Sequence, residues 1–179
     1  MLIMIHACPQ REWYVNEFLV PSLRAQGIDA NEVTVWVDWH GIGNLASCLA
    51  SFSEVAELQG ETWHLQDDVI ICKDFAERAR AAPDGIVCGF CVKKYEDALV
   101  FGRTTTRFQW QSSFPCIKIP NKIAGEFVEW IHREKHRPGV AQYVQTGKKD
   151  DTLFYAFCQE KYPKIEFELI NLNTYAEIE

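Results

Sequence analysis

The sequence predicts an α/β protein in which helices cover both faces of a mostly parallel sheet. Strand-like runs alternate with helical patterns through the first half of the chain. Gly27 ends one of these helical patterns and Pro83 ends another, so the connections between elements are short. Alternation of this kind is typical of parallel strands joined by crossover helices.

Each element of the first half follows from the spacing of its apolar residues. Val33 to Val37 is β-branched and aromatic, which favours a strand, and Asn44 is expected to cap the helix after it. Pro21 lies inside the first helical pattern and predicts a kink or an early end there. The predicted elements are a strand at 2–8, a helix at 12–26, a strand at 33–37, a helix from 44, a strand at 61–71, a helix at 74–82 and a strand at 85–93.

The second half changes character, because its strands and helices no longer alternate regularly. Its two short strand patterns predict an antiparallel pair, and a mobile loop is expected between its two helices. The predicted elements are strands at 107–110 and 113–119, a helix at 121–136, the loop at 137–149, a helix from Asp150 or Asp151 through Tyr162, and a strand at 164–172.

Length and composition narrow the classes of protein. The chain has 179 residues, 47% of them hydrophobic, which predicts one folded domain over 1–179. The net charge of −7 disfavours direct binding to nucleic acid, which needs a basic surface. Seven scattered cysteines and the lack of a signal peptide or membrane span predict free thiols in the cytoplasm. The sequence is compatible with a homo-oligomer.

An acid pair interrupts the third predicted strand. Asp67 and Asp68 stand side by side in an otherwise apolar and aromatic run. Buried charges cost several kcal/mol or more unless something compensates them. A divalent cation that also binds phosphate is a common compensation at the end of a strand in an α/β protein. The pair therefore predicts a site that joins a metal to a nucleotide.

Polar residues follow three of the predicted parallel strands. The first strand leads into Ala7, Pro9 and Arg11, the second ends at Asp38, and the third holds Gln66 with the acid pair. The carboxyl ends of parallel strands lie at one edge of a sheet, where ligands of open α/β proteins bind. We therefore expect one crevice to gather these side chains.

The run Leu65-Gln66-Asp67-Asp68-Val69, followed by Cys72-Lys73-Asp74-Phe75, resembles the acid motif of nucleotide-sugar glycosyltransferases with the GT-A fold. It is most similar to short prophage-type members that carry Gln-Asp-Asp in place of the Asp-x-Asp motif. The resemblance implies a Rossmann-like three-layer α/β/α sandwich of GT-A type, mostly parallel, with a small antiparallel C-terminal portion. Residues 1–93 would form the nucleotide-binding half and residues 94–179 the acceptor-side half.

The resemblance also implies roles for individual residues. Asp68 would be the first ligand of Mn²⁺ or Mg²⁺ and Asp67 the second, and the metal would neutralise charge on the departing nucleoside diphosphate. Asp151 or Asp150 would be the base that takes the acceptor proton. The residues implied to contact the nucleotide are Ala7, Pro9, Arg11, Asp38, Asn44, Gln66 and Asp67.

The predicted function is transfer of a sugar from a nucleoside-diphosphate sugar to an acceptor. A nucleotidyltransferase is the first alternative, but the segment from His6 to Arg11 lacks the glycines of that class. A non-catalytic binding or assembly module is the second. Gln66 replaces the first carboxylate of the motif and the C-terminal tail has no histidine, and both departures favour this second alternative.

Overall fold

The computed structural model describes residues 1–90, 105–108, 115–147, 149–165 and 167–175. Its strands are β1 (Leu2–Ala7), β2 (Val33–Val37), β3 (Glu61–Gln66), β4 (Val69–Ile71), β5 (Val87–Phe90), β6 (Thr105–Phe108), β7 (Cys116–Pro120) and β8 (Phe167–Tyr175). Its helices are α1 (Glu12–Tyr14), α2 (Val20–Ala25), α3 (Asn44–Ala56), α4 (Phe75–Arg80), α5 (Asn121–Glu134), α6 (Pro138–Thr146) and α7 (Asp150–Lys161). Within these residues, no helix is both long and apolar enough to cross a membrane.

The described strands form one sheet in the order β2-β1-β3-β7-β5-β8-β4, with β6 also paired to β8. β1 is parallel to β2 and β3, and β5 is parallel to β8. β7 runs antiparallel between β3 and β5, while β4 and β6 run antiparallel to β8. The predicted Rossmann-like α/β class is confirmed, including its small antiparallel part.

Alternate residues of the strands build a core on each face of the sheet. In β1, Ile3 and Ile5 pack with α2 and α4, whereas Met4 packs with α3, α5 and α7. Successive side chains of a strand point to opposite faces, so a fully apolar strand such as β1 must be covered on both sides. The result is the predicted three-layer arrangement.

The first helical segment contains the irregularity that Pro21 predicted. A π-helical turn at Val15–Leu19 separates α1 from α2, and Pro21 lies in the first turn of α2. Proline has no N–H to donate, so a widened turn directly before it is physically reasonable. At α3 the prediction was wrong by one residue: Gly43, at φ 90°, is the N-cap and Asn44 is the first helical residue.

The predicted strand at 61–71 is in fact two strands that leave the acid pair in a turn. β3 ends at Gln66, whose backbone N–H donates to the carbonyl oxygen of Pro115 at 2.9 Å. The chain turns at Asp67 and Asp68, and β4 then pairs with β8 rather than with the neighbours of β3. The sequence shows the apolar run on both sides of the pair but not the change of partner strand.

Two predictions in the second half were wrong. The range predicted as a loop at 137–149 contains a helix: Pro138 opens α6, and Gly147, at φ 63°, ends it. Proline in the first turn and glycine just past the end are ordinary helix boundaries. The strands predicted at 107–110 and 113–119 do not pair with each other, since β6 pairs with β8 and β7 with β3 and β5. Trp110, Ser113 and the end of the strand predicted at 85–93 lie outside the described residues.

Candidate functional site

A cleft of about 230 Å³ opens at the carboxyl ends of β1, β2 and β3. The first turns of α3 and α7 border it as well. Pro9 and Asp151 are outside its lining. The other predicted site residues all line it: Ala7, Arg11, Asp38, Asn44, Gln66, Asp67, Asp68 and Asp150.

Asp67 ties the loop after β1 to the turn after β3. One carboxylate oxygen accepts a hydrogen bond from the backbone N–H of Cys8 at 2.6 Å, and the other accepts from Nη1 of Arg11 at 2.7 Å. The residue is only 5% exposed. Both oxygens of Asp67 are therefore committed to the protein, and the carboxylate fixes the position of Arg11.

Asp68 shares the same guanidinium. Its Oδ2 lies 3.0 Å from Nη1 of Arg11, whereas its Oδ1 is buried without a hydrogen-bond partner among the described residues. Desolvation raises the pKa of Asp68 above its ordinary value, and the nearby positive charge of Arg11 only partly opposes the rise. One carboxylate oxygen at the cleft is thus left without compensation.

In the continuous strand predicted at 61–71, the side chains of Asp67 and Asp68 would point to opposite faces of the sheet. Both residues lie instead in the turn between β3 and β4. Both carboxylates therefore reach one guanidinium. Arg11 occupies the position between them where the sequence predicted a metal.

The cleft offers few protein ligands for the predicted metal. No group of three or more His, Cys, Asp or Glu side chains suited to a metal occurs in the part of the chain that the structure describes. The orphaned Oδ1 of Asp68 and the oxygen now on Arg11 are hard carboxylate donors of the kind that Mn²⁺ and Mg²⁺ prefer. The residues fit a cation that brings most of its own ligands, and Mn²⁺ or Mg²⁺ stays a prediction.

Asp38 shapes the loop that leads into α3. Its two oxygens accept hydrogen bonds from the backbone N–H groups of Ile42 at 2.9 Å and Gly43 at 3.0 Å. Desolvation raises the pKa of Asp38, but these backbone donors outweigh it and hold the pKa below the ordinary value. Trp39, next along the chain, is 60% exposed and is not among the residues that line the cleft.

Asp150 is the carboxylate that the start of α7 presents to the cleft. Burial, and secondarily the negative charge of Asp151, raises the pKa of Asp150 to about 6. Asp151 instead accepts hydrogen bonds from the backbone N–H and hydroxyl of Thr152. The N–H of Leu45 donates to the carbonyl of Gly147 at 3.1 Å, which links the start of α3 to the end of α6.

The floor of the cleft contains a histidine pair that was not among the predicted site residues. Nε2 of His6 lies 3.1 Å from Nδ1 of His64, and the hydroxyl of Ser51 lies 3.4 Å from the ring of His6. Burial lowers the pKa of His6 to about 4 and lowers that of His64 as well, so both rings are neutral near pH 7. One sequence signal could have found this pair. Side chains of a strand alternate between its two faces, which places His6 and His64 on the α3 face of adjacent strands.

Comparison with known proteins supports the fold. No protein-family model matches the chain, and no curated protein matches it in sequence. The solved structure titled "Crystal Structure of A197 from STIV" is similar, with a TM-score of 0.54 and 15% sequence identity. The match covers 100% of this chain and 87% of that chain. At this level of identity the likeness concerns the fold.

Proposed function

We propose that the protein binds a nucleoside-diphosphate sugar in this cleft and transfers the sugar to an acceptor hydroxyl. One observation carries the proposal: the carboxyl-end cleft has the acid pair with Arg11 on one side and the half-buried carboxylate of Asp150 on the other. The first group suits a metal-bound diphosphate, and the second suits removal of a proton. The cleft is also where ligands bind in open α/β sheets.

Asp150 is the better of the two candidates for the base. With a pKa of about 6 it is mostly ionised at pH 7, yet more basic than an ordinary aspartate. A base whose pKa lies near the working pH is the most effective proton acceptor. The neutral pair of His6 and His64 titrates well below pH 7, so it forms a polar floor and not the base.

The acid pair would serve the donor. Asp68, supported by Asp67, would hold a divalent cation, which when bound would supply positive charge to the departing diphosphate. Arg11 would contribute a second positive charge at the same side of the cleft. The acceptor would approach from the side of Asp150.

A non-catalytic module that binds a nucleotide is the second candidate. The observation that favours it is the ion pair of Arg11 with both acids, which fills the predicted metal position. A module of this kind would bind the donor without turnover. Both candidates bind the donor, so a test for turnover distinguishes them and a binding test does not.

Binding is tested by thermal unfolding with a panel of nucleoside diphosphates and nucleotide sugars, each with and without Mn²⁺. A ligand at about 100 times its Kd should stabilise the protein by roughly 2.7 kcal/mol. We expect one nucleotide to do so only with Mn²⁺, and Asp68→Asn to lose the effect. Asp84→Asn, at an exposed acid outside the cleft, is the matched control. Equal stabilisation of wild type and Asp68→Asn would refute the site.

Catalysis is tested by release of the nucleoside diphosphate from the donor identified in the panel, with water or an added glycan as acceptor. Asp150→Asn should lower kcat by about 10²- to 10⁴-fold, the usual contribution of a general base. Donor affinity should be unchanged, because the substitution is isosteric. Donor binding with no release of nucleoside diphosphate in the wild type would instead establish the binding module.

A further inference from the structure

Arg11 contacts the two carboxylates of the acid pair unequally. A single nitrogen, Nη1, lies 2.7 Å from Asp67 and 3.0 Å from Asp68. The Asp67 side chain is 8% exposed and also receives the N–H of Cys8, whereas the Asp68 side chain is 26% exposed. Asp67 is therefore a fixed anchor for Arg11, and Asp68 is the looser partner.

One guanidinium does not balance the charge of this cluster. Two carboxylates and one arginine leave a surplus negative charge, and Oδ1 of Asp68 is buried with no hydrogen bond from the described residues. A buried acceptor without a partner costs about 1–3 kcal/mol. A second cation that reaches Asp68 would therefore stabilise this cluster.

We infer that Arg11 is a resident counter-ion of Asp68 and that a divalent cation arriving with the nucleotide displaces it. The inference rests on the proposed function, because a metal-bound diphosphate is the ligand that brings this cation. Hard divalent cations such as Mg²⁺ usually bind through one or two carboxylates plus substrate phosphates. The absence of a three-ligand group among the described side chains is then expected, since the diphosphate completes the coordination.

The displaced guanidinium has a second use. The Arg11 side chain is 36% exposed and lines the cleft, so its guanidinium can turn away from Asp68 while Nη1 keeps its contact with Asp67. Arginine binds phosphate oxygens through paired N–H donors. Arg11 therefore exchanges a carboxylate for the diphosphate when the cation takes Asp68.

The test measures Mn²⁺ binding alone, by electron paramagnetic resonance titration of free Mn²⁺, in wild type and Arg11→Met. Methionine keeps the apolar stem and removes the competing charge. We expect Mn²⁺ to bind Arg11→Met about tenfold more tightly, which corresponds to roughly 1.4 kcal/mol. Arg24→Met, at an exposed arginine of α2 outside the cleft lining, removes the same charge and should match the wild type.

A second arm uses saturating Mn²⁺ and the nucleoside diphosphate found in the panel. Here Arg11→Met should bind the nucleotide about tenfold more weakly, because the phosphate loses its arginine. A single substitution that strengthens the metal and weakens the nucleotide is the signature of exchange. A purely structural role for Arg11 would weaken both.

Two further variants decide the remaining outcomes. Arg11→Met combined with Asp68→Asn should lose the gain in Mn²⁺ affinity, which assigns the gain to Asp68. If Arg11→Met does not fold, Arg11→Lys is measured; its shorter reach should also raise Mn²⁺ affinity, by a smaller factor. Equal Mn²⁺ affinity in wild type and whichever Arg11 variant folds would overturn the exchange. The first arm contains no nucleotide, so failure of the nucleotide panel is a separate result.

Discussion

The environment of Asp150 differs from that of a surface aspartate and raises the pKa of its carboxyl group. Asp150 is half-buried at the start of α7, and the charge of Asp151 lies beside it. An unfolded chain has neither effect, so its aspartate keeps an ordinary pKa near 3.8. Between about pH 4 and pH 6 the unfolded chain releases this proton while the folded protein retains it, so stability falls across that window and stays at its lower value above pH 6.

Asp150→Asn should consequently stabilise the protein in a pH-dependent way. Below about pH 4 the carboxyl is protonated in both states, so the substitution should change nothing. As pH rises from about 4 to about 6 the wild type loses stability, because its unfolded state ionises first, and the variant does not. At pH 8 we expect the variant to gain about 1–3 kcal/mol. Urea unfolding of both proteins at pH 4 and pH 8 measures this; an equal effect at both values would show that burial does not raise the pKa.

At the residue scale, the sequence identified the acid pair and Arg11 but not their contact. Arg11 and Asp67 are separated by 56 positions, and their meeting depends on how β1 and β3 pair. Charged residue types near strand ends can be read directly from a sequence. The ion pair could not be, because it requires the parallel register and the turn after Gln66.

The close contact between α3 and α5 is the element-scale feature on which the cleft depends, because α3 supplies part of its lining. A Cβ added at Gly125 in α5 would lie 2.9 Å from the Cβ of Ala56 in α3. That distance is too short for two carbon atoms, so one helix would have to shift. Glycine is therefore required at this crossing by space and not by backbone conformation.

Gly125→Ala should destabilise the protein despite the better helix propensity of alanine. Overpacking costs about 1–3 kcal/mol, and the propensity gain returns at most ~1 kcal/mol. Ala56→Gly in the same chain should recover part of the loss, because it removes the opposing Cβ. Gly139→Ala in α6, where the new Cβ meets nothing within 4 Å, is the control and should be neutral or stabilising. Urea unfolding of the wild type, Gly125→Ala alone, Ala56→Gly alone and the double variant gives the coupling; independent effects of the two α3–α5 substitutions would contradict it.

The bounds of individual elements were predicted correctly where the local sequence pattern determines them. β2 was placed at its true bounds because its β-branched run ends at a polar residue. The helix α6 was missed although Val140, Tyr143 and Val144 stand at helical spacing, and Val140 is its only buried residue among those described. The boundary residues Pro138 and Gly147 were the stronger signal there.

At the scale of the whole molecule, strand order was the part that sequence could not provide. Alternation along the chain predicted the class of fold, and one sheet with two covered faces followed from it. The insertion of β7 between β3 and β5 did not follow, because it joins segments far apart in the chain. The proposed division at residue 93 into two functional halves therefore crosses a single shared sheet.

This interleaving predicts that residues 1–93 do not fold alone. Within the described residues, β5 pairs with β7 and β8 and with no strand of the first half. β4 likewise pairs with β8, and β3 would lose β7 from one of its edges. Unpaired strands expose backbone donors and acceptors and tend to aggregate.

A fragment of residues 1–93 should show no cooperative transition in urea and poor dispersion of its amide NMR signals. Co-expression with residues 94–179 should restore both properties, since it returns β7 and β8 to the sheet. The intact chain is the reference for the transition. A fragment that unfolds cooperatively by itself would show that the parallel unit of β1, β2 and β3 is stable without the antiparallel strand beside it, and would make residues 1–93 an independent folding unit.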